Sequence, residues 1–285
     1  MTGSEWSLVF FTLFAQAAWG MMIALAVVAA GKKPVVKIVY ANTRTLITGI
    51  ALILMLAALI FSFFHLGSPL KSVYALSNIN SSWLSREILM VSVFCALLLV
   101  WYAGLSSDVA GETANRYFLW ISIIAGTVMV FSMARLYMMP TIPAWDSALT
   151  MVLFYSSGLL LGIPLVLALI LPSYIGEEVR PGYYSFIPVF IVLIVFSFLM
   201  RIIFDSVVVH DNNVAFPLAR TPLLLIVLHY IFSVTGIGLL IYRILVPTKR
   251  AGAWRVALLL SLALILTGEI IGRYIFYAGY FRTGV

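Results

Sequence analysis

Eight long apolar runs, separated by short polar connections, constrain this chain more than any other feature. Read against charges, Pro and Gly, they span about 6–30, 45–66, 86–105, 116–139, 149–171, 185–207, 223–246 and 254–277. Each is long enough to cross a bilayer, which takes ~20 mostly apolar residues. Charged residues make up only 9% of the 285 residues, against about 25% in an ordinary soluble domain, so a water-covered globular fold is excluded. The 64% apolar share would supply roughly seven to nine spans and leaves little chain for a domain in water. The expected fold is an all-α polytopic membrane protein, a bundle of eight transmembrane helices forming one anchor domain over 1–285.

Basic residues orient such a bundle, because cytoplasmic loops are enriched in Lys and Arg. The segment after helix 1 carries Lys32, Lys33, Lys37 and Arg44, and the one after helix 7 carries Arg243, Lys249, Arg250 and Arg255. Placing these with Arg116 and Arg180 in the cytoplasm puts both termini on the non-cytoplasmic, periplasmic side. The net charge of +7 is then explained by loop bias and does not point to nucleic acid. No basic residue precedes the first apolar run, which also exceeds the ~7–15 apolar residues of a secretion signal, so it reads as a retained helix. The single cysteine, Cys95, excludes a disulfide or a cysteine-ligated cluster within the chain. Gly158 with Gly162 and Gly268 with Gly272 form small-xxx-small pairs, read as helix packing.

The ionisable residues inside the runs gather toward the outer side. His65 ends helix 2, Arg135 helix 4, Arg201 and Asp205 helix 6, and Glu269 and Arg273 helix 8. Arg86 and Glu87 open helix 3, and His229 lies early in helix 7. Charges in the apolar layer are costly, face the bundle interior and mark functional pathways. Arg201/Asp205 and Glu269/Arg273 stand i, i+4, so each pair is expected to neutralise itself along one helix face. A polar cluster confined to one leaflet argues against a channel or transporter, whose polar groups continue through the midplane. It suits a membrane-dissolved substrate such as a quinol, whose protons need an acceptor such as His or Glu. Phe61, Phe63, Phe64, Tyr74 and Trp83, near His65 in sequence, are expected to pack against a flat head group.

The block Phe64-His65-Leu66-Gly67-Ser68-Pro69-Leu70-Lys71, with Ala75-Leu76-Ser77-Asn78 and Leu84-Ser85-Arg86-Glu87-Ile88, resembles the membrane anchor of dimethyl sulfoxide reductase (the DmsC type). So do Phe14-Ala15-Gln16-Ala17-Ala18-Trp19-Gly20 and Gly268-Glu269-Ile270-Ile271-Gly272-Arg273-Tyr274-Ile275-Phe276-Tyr277. Length, span number and outward termini agree over the whole sequence. The resemblance implies an inner-membrane anchor of anaerobic respiration that oxidises menaquinol. Its electrons would pass to a four-cluster ferredoxin-like iron–sulfur subunit and on to a molybdopterin catalytic subunit, both periplasmic. The iron–sulfur clusters and molybdenum cofactor would reside only in those partners, and the anchor would hold no metal.

By the same resemblance, His65 and Glu87 are the quinol-handling pair, with Gly67, Ser68, Lys71, Arg86, Glu269 and Arg273 completing the quinol site. His65 would accept a proton and Glu87 would accept a second or orient the quinol. Lys71, Arg86 and Arg273 would offset carboxylates or steady the developing quinone oxygen, and Gly67 to Ser85 would form a lip under the iron–sulfur partner. Of three histidines, His210 falls in a loop. His65 and His229 share the outer side and could geometrically hold a haem, but the resembling family uses none and none is expected. Two competing readings remain: a polysulfide-reductase-type anchor, which the HLGSP and GEIIGR blocks disfavour, and a non-redox secondary transporter or scaffold. Pro164 and Pro188 could kink helices as transporters require, but their surroundings are apolar.

Overall fold

The structure is a computed structural model that describes residues 3–31, 34–65, 74, 76–107, 111–142, 144–171, 186–210, 223–246 and 251–278; side chains 3–5, 34, 35, 65, 207–210, 251–254 and 278 fall outside the description. Among these residues the ordered elements are helical: α1 (Gly3–Ala29), α2 (Pro34–His65), α3 (Trp83–Ser106), α4 (Glu112–Tyr137), α5 (Ala148–Ile170), α6 (Ile187–His210), α7 (Leu223–Leu245) and α8 (Ala251–Ala278), with one 3-10 turn at Leu76–Asn78. All eight long helices contain a stretch apolar enough to cross a membrane. In hydrocarbon every backbone polar group must be satisfied within the element, which a helix alone achieves segment by segment.

The eight expected spans are all present, with one large difference in extent. Helix α2 starts at Pro34 rather than near residue 45. Lys37 and Arg44, expected in a connecting loop, therefore lie on a helix, and the α1–α2 connection is only a few residues long. Pro at the first helical position costs nothing because its missing N–H is unused there. Arg44 is tolerated because its Nη1 pairs with Glu112 Oε2 at 2.8 Å across the start of α4. Arg116, Arg243 and Arg255 lie at the ends of helices, within the expected spans. Lys32, Lys33, Arg180, Lys249 and Arg250 lie outside the described residues. Pro188 falls in the first turn of α6, where it needs no kink. Pro164 is buried inside α5, which continues unbroken to Ile170.

Helices α1 and α5 are the most enclosed, and the rest of the bundle is arranged around them. Helix α1 packs on α2, α4, α5 and α8; α3 pairs with α4, α7 with α8, and α5 supports α6. The α1–α5 crossing depends on three glycines. A Cβ on Gly162 would collide with the Gly20 backbone, and one on Gly20 with the Gly158 carbonyl. Backbones in direct contact let packing forces hold the helices together where lipid supplies no hydrophobic drive. That crossing places the α1 face bearing Thr12 and Gln16 against the last turns of α8.

Candidate functional site

Buried polar side chains, with the half-buried Asp205 and Tyr230, converge at the end of the bundle where α2 finishes and α3 begins. They come from α1 (Thr12, Gln16), α3 (Glu87), α4 (Tyr137), α6 (Arg201, Asp205), α7 (His229, Tyr230) and α8 (Glu269, Arg273, Tyr277). Gln16 and Arg273 are fully buried, and Arg201, His229, Glu269 and Glu87 are 1–4% exposed. Unpaired polar atoms at such depth are costly, so their pairing defines the site.

Arg273 is the centre of the first group. Its Nη2 donates to Gln16 Oε1 at 2.7 Å, and its guanidinium lies 4.1 Å from the Phe154 ring centre and 5.7 Å from that of Phe276. Trp145, from the α4–α5 connection, stacks on Phe276 with ring centres 5.2 Å apart and donates Nε1–H to the Phe276 carbonyl at 2.9 Å. The connection is held by Ser147, which caps α5 at Leu149 N, and by Thr150, whose hydroxyl donates to the Trp145 carbonyl at 2.8 Å. Tyr277 donates its hydroxyl to Thr12 Oγ1 at 3.3 Å, and its ring lies 5.3 Å from that of Tyr137. Glu87, in the second turn of α3, sits within electrostatic reach of both tyrosine hydroxyls.

The second group joins α6, α7 and α8. Arg201 pairs with Asp205 at 3.1 Å and donates Nη2 to the Gly272 carbonyl at 3.1 Å. Tyr230 donates to the same Asp205 oxygen at 2.6 Å. His229 Nδ1 lies 2.6 Å from the Gly268 carbonyl, which can only accept, so Nδ1 carries the proton and Nε2 is left with its lone pair when the ring is neutral. The glycines of the GEIIGR block make this approach feasible: a Cβ on Gly272 would come 2.7 Å from both Arg201 Nη2 and His229 Cε1.

Several atoms in the cluster are buried without a hydrogen-bond partner among the described residues: Gln16 Nε2, Glu87 Oε1, His229 Nε2, Glu269 Oε2, Arg201 Nη1, and Arg273 Nε and Nη1. Buried groups are normally satisfied, so this concentration marks a place prepared for water or a polar ligand. A cavity of about 20 Å³ beside Trp145, Arg201, Asp205 and Phe276 has room for one water.

The expected site residues meet different fates. Glu87, Glu269 and Arg273 belong to the cluster. Glu269 and Arg273 do not form the expected i, i+4 ion pair: Arg201–Asp205 and Arg44–Glu112 are the two ion pairs among the described residues. Gln16 occupies Arg273 instead. Arg86 donates Nε and Nη2 to the Ile79 and Asn80 carbonyls at 2.8 and 2.7 Å, and it stacks on Trp83 at 4.3 Å. It fastens the turn before α3 and makes no ion pair among the described residues. His65 is the last residue of α2, with its side chain outside the description, as are Gly67, Ser68 and Lys71 entirely. Of the expected aromatics, Phe63, Phe64 and Tyr74 are exposed, whereas Phe61 packs on Phe10 of α1 with ring centres 5.1 Å apart. Trp83 lies between Arg86 and Arg135. Gln16, Tyr137, Trp145, Tyr230 and Tyr277 were not singled out from the sequence as site residues. For Gln16 a signal existed, a lone amide in an otherwise apolar span. No group of three His, Cys, Asp or Glu able to hold a metal occurs among the described residues.

The family described as DMSO reductase anchor subunit (DmsC) matches residues 1–279 of the sequence. Over 284 residues the protein is 26% identical to the YnfH subunit of an anaerobic dimethyl sulfoxide reductase of Escherichia coli, covering 99% of this sequence and 96% of that one. It is 27% identical over 263 residues to the C subunit of the anaerobic dimethyl sulfoxide reductase of Haemophilus influenzae, covering 88% and 92% of the two sequences. No solved structure matches it significantly. With its eight candidate spans and a match over nearly its full length, the chain belongs to the DMSO reductase anchor subunit family.

Proposed function

We propose that the chain oxidises menaquinol at the periplasmic end of the bundle, between His65 at the end of α2 and Glu87 in α3, and delivers the electrons to an iron–sulfur subunit docked over that end. The observation that carries this reading is Glu87. A carboxyl group that is 4% exposed, with Oε1 unpartnered, in the second turn of α3 is an expensive feature unless something polar meets it. Oxidation of the quinol to quinone releases two protons and two electrons. Glu87 Oε1 accepts one proton from a quinol hydroxyl, and His65 accepts the other. Tyr137 and Tyr277 lie within electrostatic reach of Glu87, and Arg273, fixed by Gln16 and the Phe154 ring, lies within reach of the same two tyrosines.

The electrons leave for an iron–sulfur subunit and then a molybdopterin subunit, which the anchor's partners would provide. Both termini, the Trp145 connection and these partners share the periplasmic face of a cytoplasmic membrane, and the helix starts bearing Lys37, Arg44 and Arg116 face the cytoplasm. Turnover of the assembled complex with a quinol donor and with a soluble artificial donor tests the reading. Glu87→Gln and His65→Ala should each abolish the first and leave the second unchanged. Quinol turnover retained in both variants would overturn it.

A further inference from the structure

A roomy cavity lies at the opposite end of the bundle. It measures about 730 Å³ between the end of α1 and the starts of α2 and α4. Ala26, Ala29, Ala30 and Leu119 make one wall apolar, and Lys37 and Arg116 bring two cations to its mouth. Glu112 also lines it, but its carboxylate is engaged by Arg44 at 2.8 Å. Neither Lys37 nor Arg116 makes an ion pair among the described residues. An adjoining cavity of about 340 Å³ shares Glu112, Arg116 and Trp120. Tyr117 and Trp120 are 65% and 54% exposed on the first turns of α4, as aromatic residues are at headgroup depth.

An apolar slot between helices, opening on unpaired cations at the level of interfacial aromatics, has the chemistry of an anionic lipid site. A bilayer also supplies that occupant at high local concentration. We propose that this cavity holds one anionic phospholipid, its phosphate between Lys37 and Arg116 and an acyl tail along the alanine wall of α1. The bound lipid would fill the space between the end of α1 and the starts of α2 and α4. The site is remote from the Glu87 cluster and stands independently of quinol oxidation.

Native mass spectrometry of the full-length purified protein, titrated with phosphatidylglycerol or phosphatidylcholine, tests this. The wild-type protein should prefer phosphatidylglycerol, and Lys37→Gln/Arg116→Gln should weaken that lipid by about 30-fold, a factor of about five per surface cation, while leaving phosphatidylcholine unchanged. Lys37→Arg/Arg116→Lys should retain the preference. Ala29→Phe, which fills the slot with both charges intact, should lower occupancy by either lipid and serves should the charge-removing variant fail to fold. Inorganic phosphate should not displace the lipid. The proposal is overturned if the folded Gln variant binds phosphatidylglycerol like wild type, if Ala29→Phe binds it undiminished, or if inorganic phosphate competes fully, which would make the site one for a free anion.

Discussion

The contact between Arg273 and Gln16 yields the sharpest energetic prediction. Gln16 Oε1 is the one hydrogen-bond acceptor of Arg273 among the described residues, while its Nε and Nη1 have none. Gln16→Leu keeps the volume and removes that acceptor, leaving a buried cation whose partner loss costs about 3–5 kcal/mol. A neutral interhelical hydrogen bond in a membrane protein averages only ~0.6 kcal/mol, so the size of the loss reports the charge. Arg273→Met has opposing terms. It forfeits a charge-assisted hydrogen bond, about 1.5–3 kcal/mol, and a desolvated cation–ring contact of about 2 kcal/mol. It also leaves the Gln16 amide oxygen unpaired and removes two unpartnered N–H groups, each of the three worth about 1–3 kcal/mol, so the net loss should be about 2 kcal/mol. The double variant has neither an orphaned charge nor an orphaned amide. It should be more stable than Gln16→Leu alone, with a coupling near 3 kcal/mol, the upper end for contacting residues. Reversible unfolding of the purified protein in mixed micelles measures all four. Additive effects, or a Gln16→Leu loss near 0.6 kcal/mol, the neutral-bond average, would refute the reasoning and mean that Arg273 is satisfied by other partners.

Three further outcomes follow from the geometry. Gly272→Ala puts a methyl group 2.7 Å from Arg201 Nη2 and His229 Cε1, and overpacking of this kind should cost about 1–3 kcal/mol in the same unfolding assay. Arg44→Ala breaks an ion pair whose Glu112 side chain is 71% exposed, so its stability effect should stay under about 1 kcal/mol and shrink further in high salt. The His229 ring is 1% exposed and packed against Gly272, a closed setting without room for a haem at Nε2, so the visible absorption spectrum of the purified protein should show no haem bands.

The span pattern was legible because bilayer crossing is a matter of composition, and each of the eight runs corresponds to a helix. The start of α2 was not legible. Charge normally ends an apolar run, and nothing local announces that Glu112, 68 residues away, will pair with Arg44. The one-ended cluster could be read because Glu87, Arg201, Glu269 and Arg273 stand out in apolar surroundings. The internal pairing of that cluster was half legible. Arg201 does bind Asp205 one turn away, because the two lie on one face and Tyr230 adds a second bond to the same carboxylate oxygen. The equally spaced Glu269 and Arg273 do not pair, since α1 presents Gln16 and α5 presents Phe154 to the guanidinium. Helix-face arithmetic sees only its own helix. Tyr137, Trp145 and Tyr277 escaped for a related reason: aromatics are common at helix ends, and only the crossing of α1, α4 and α8 brings these together.

Single-turnover reduction of the partner's iron–sulfur clusters by menaquinol tests the central claim most directly. Membranes holding the oxidised complex are mixed with excess menaquinol, and the reduced-cluster signal is followed by electron paramagnetic resonance in the wild type and in Glu87→Gln. The account predicts rapid cluster reduction in the wild type and none in the variant, although dithionite reduces both to the same extent. A Glu87→Gln complex that is reduced by menaquinol at the wild-type rate would contradict it.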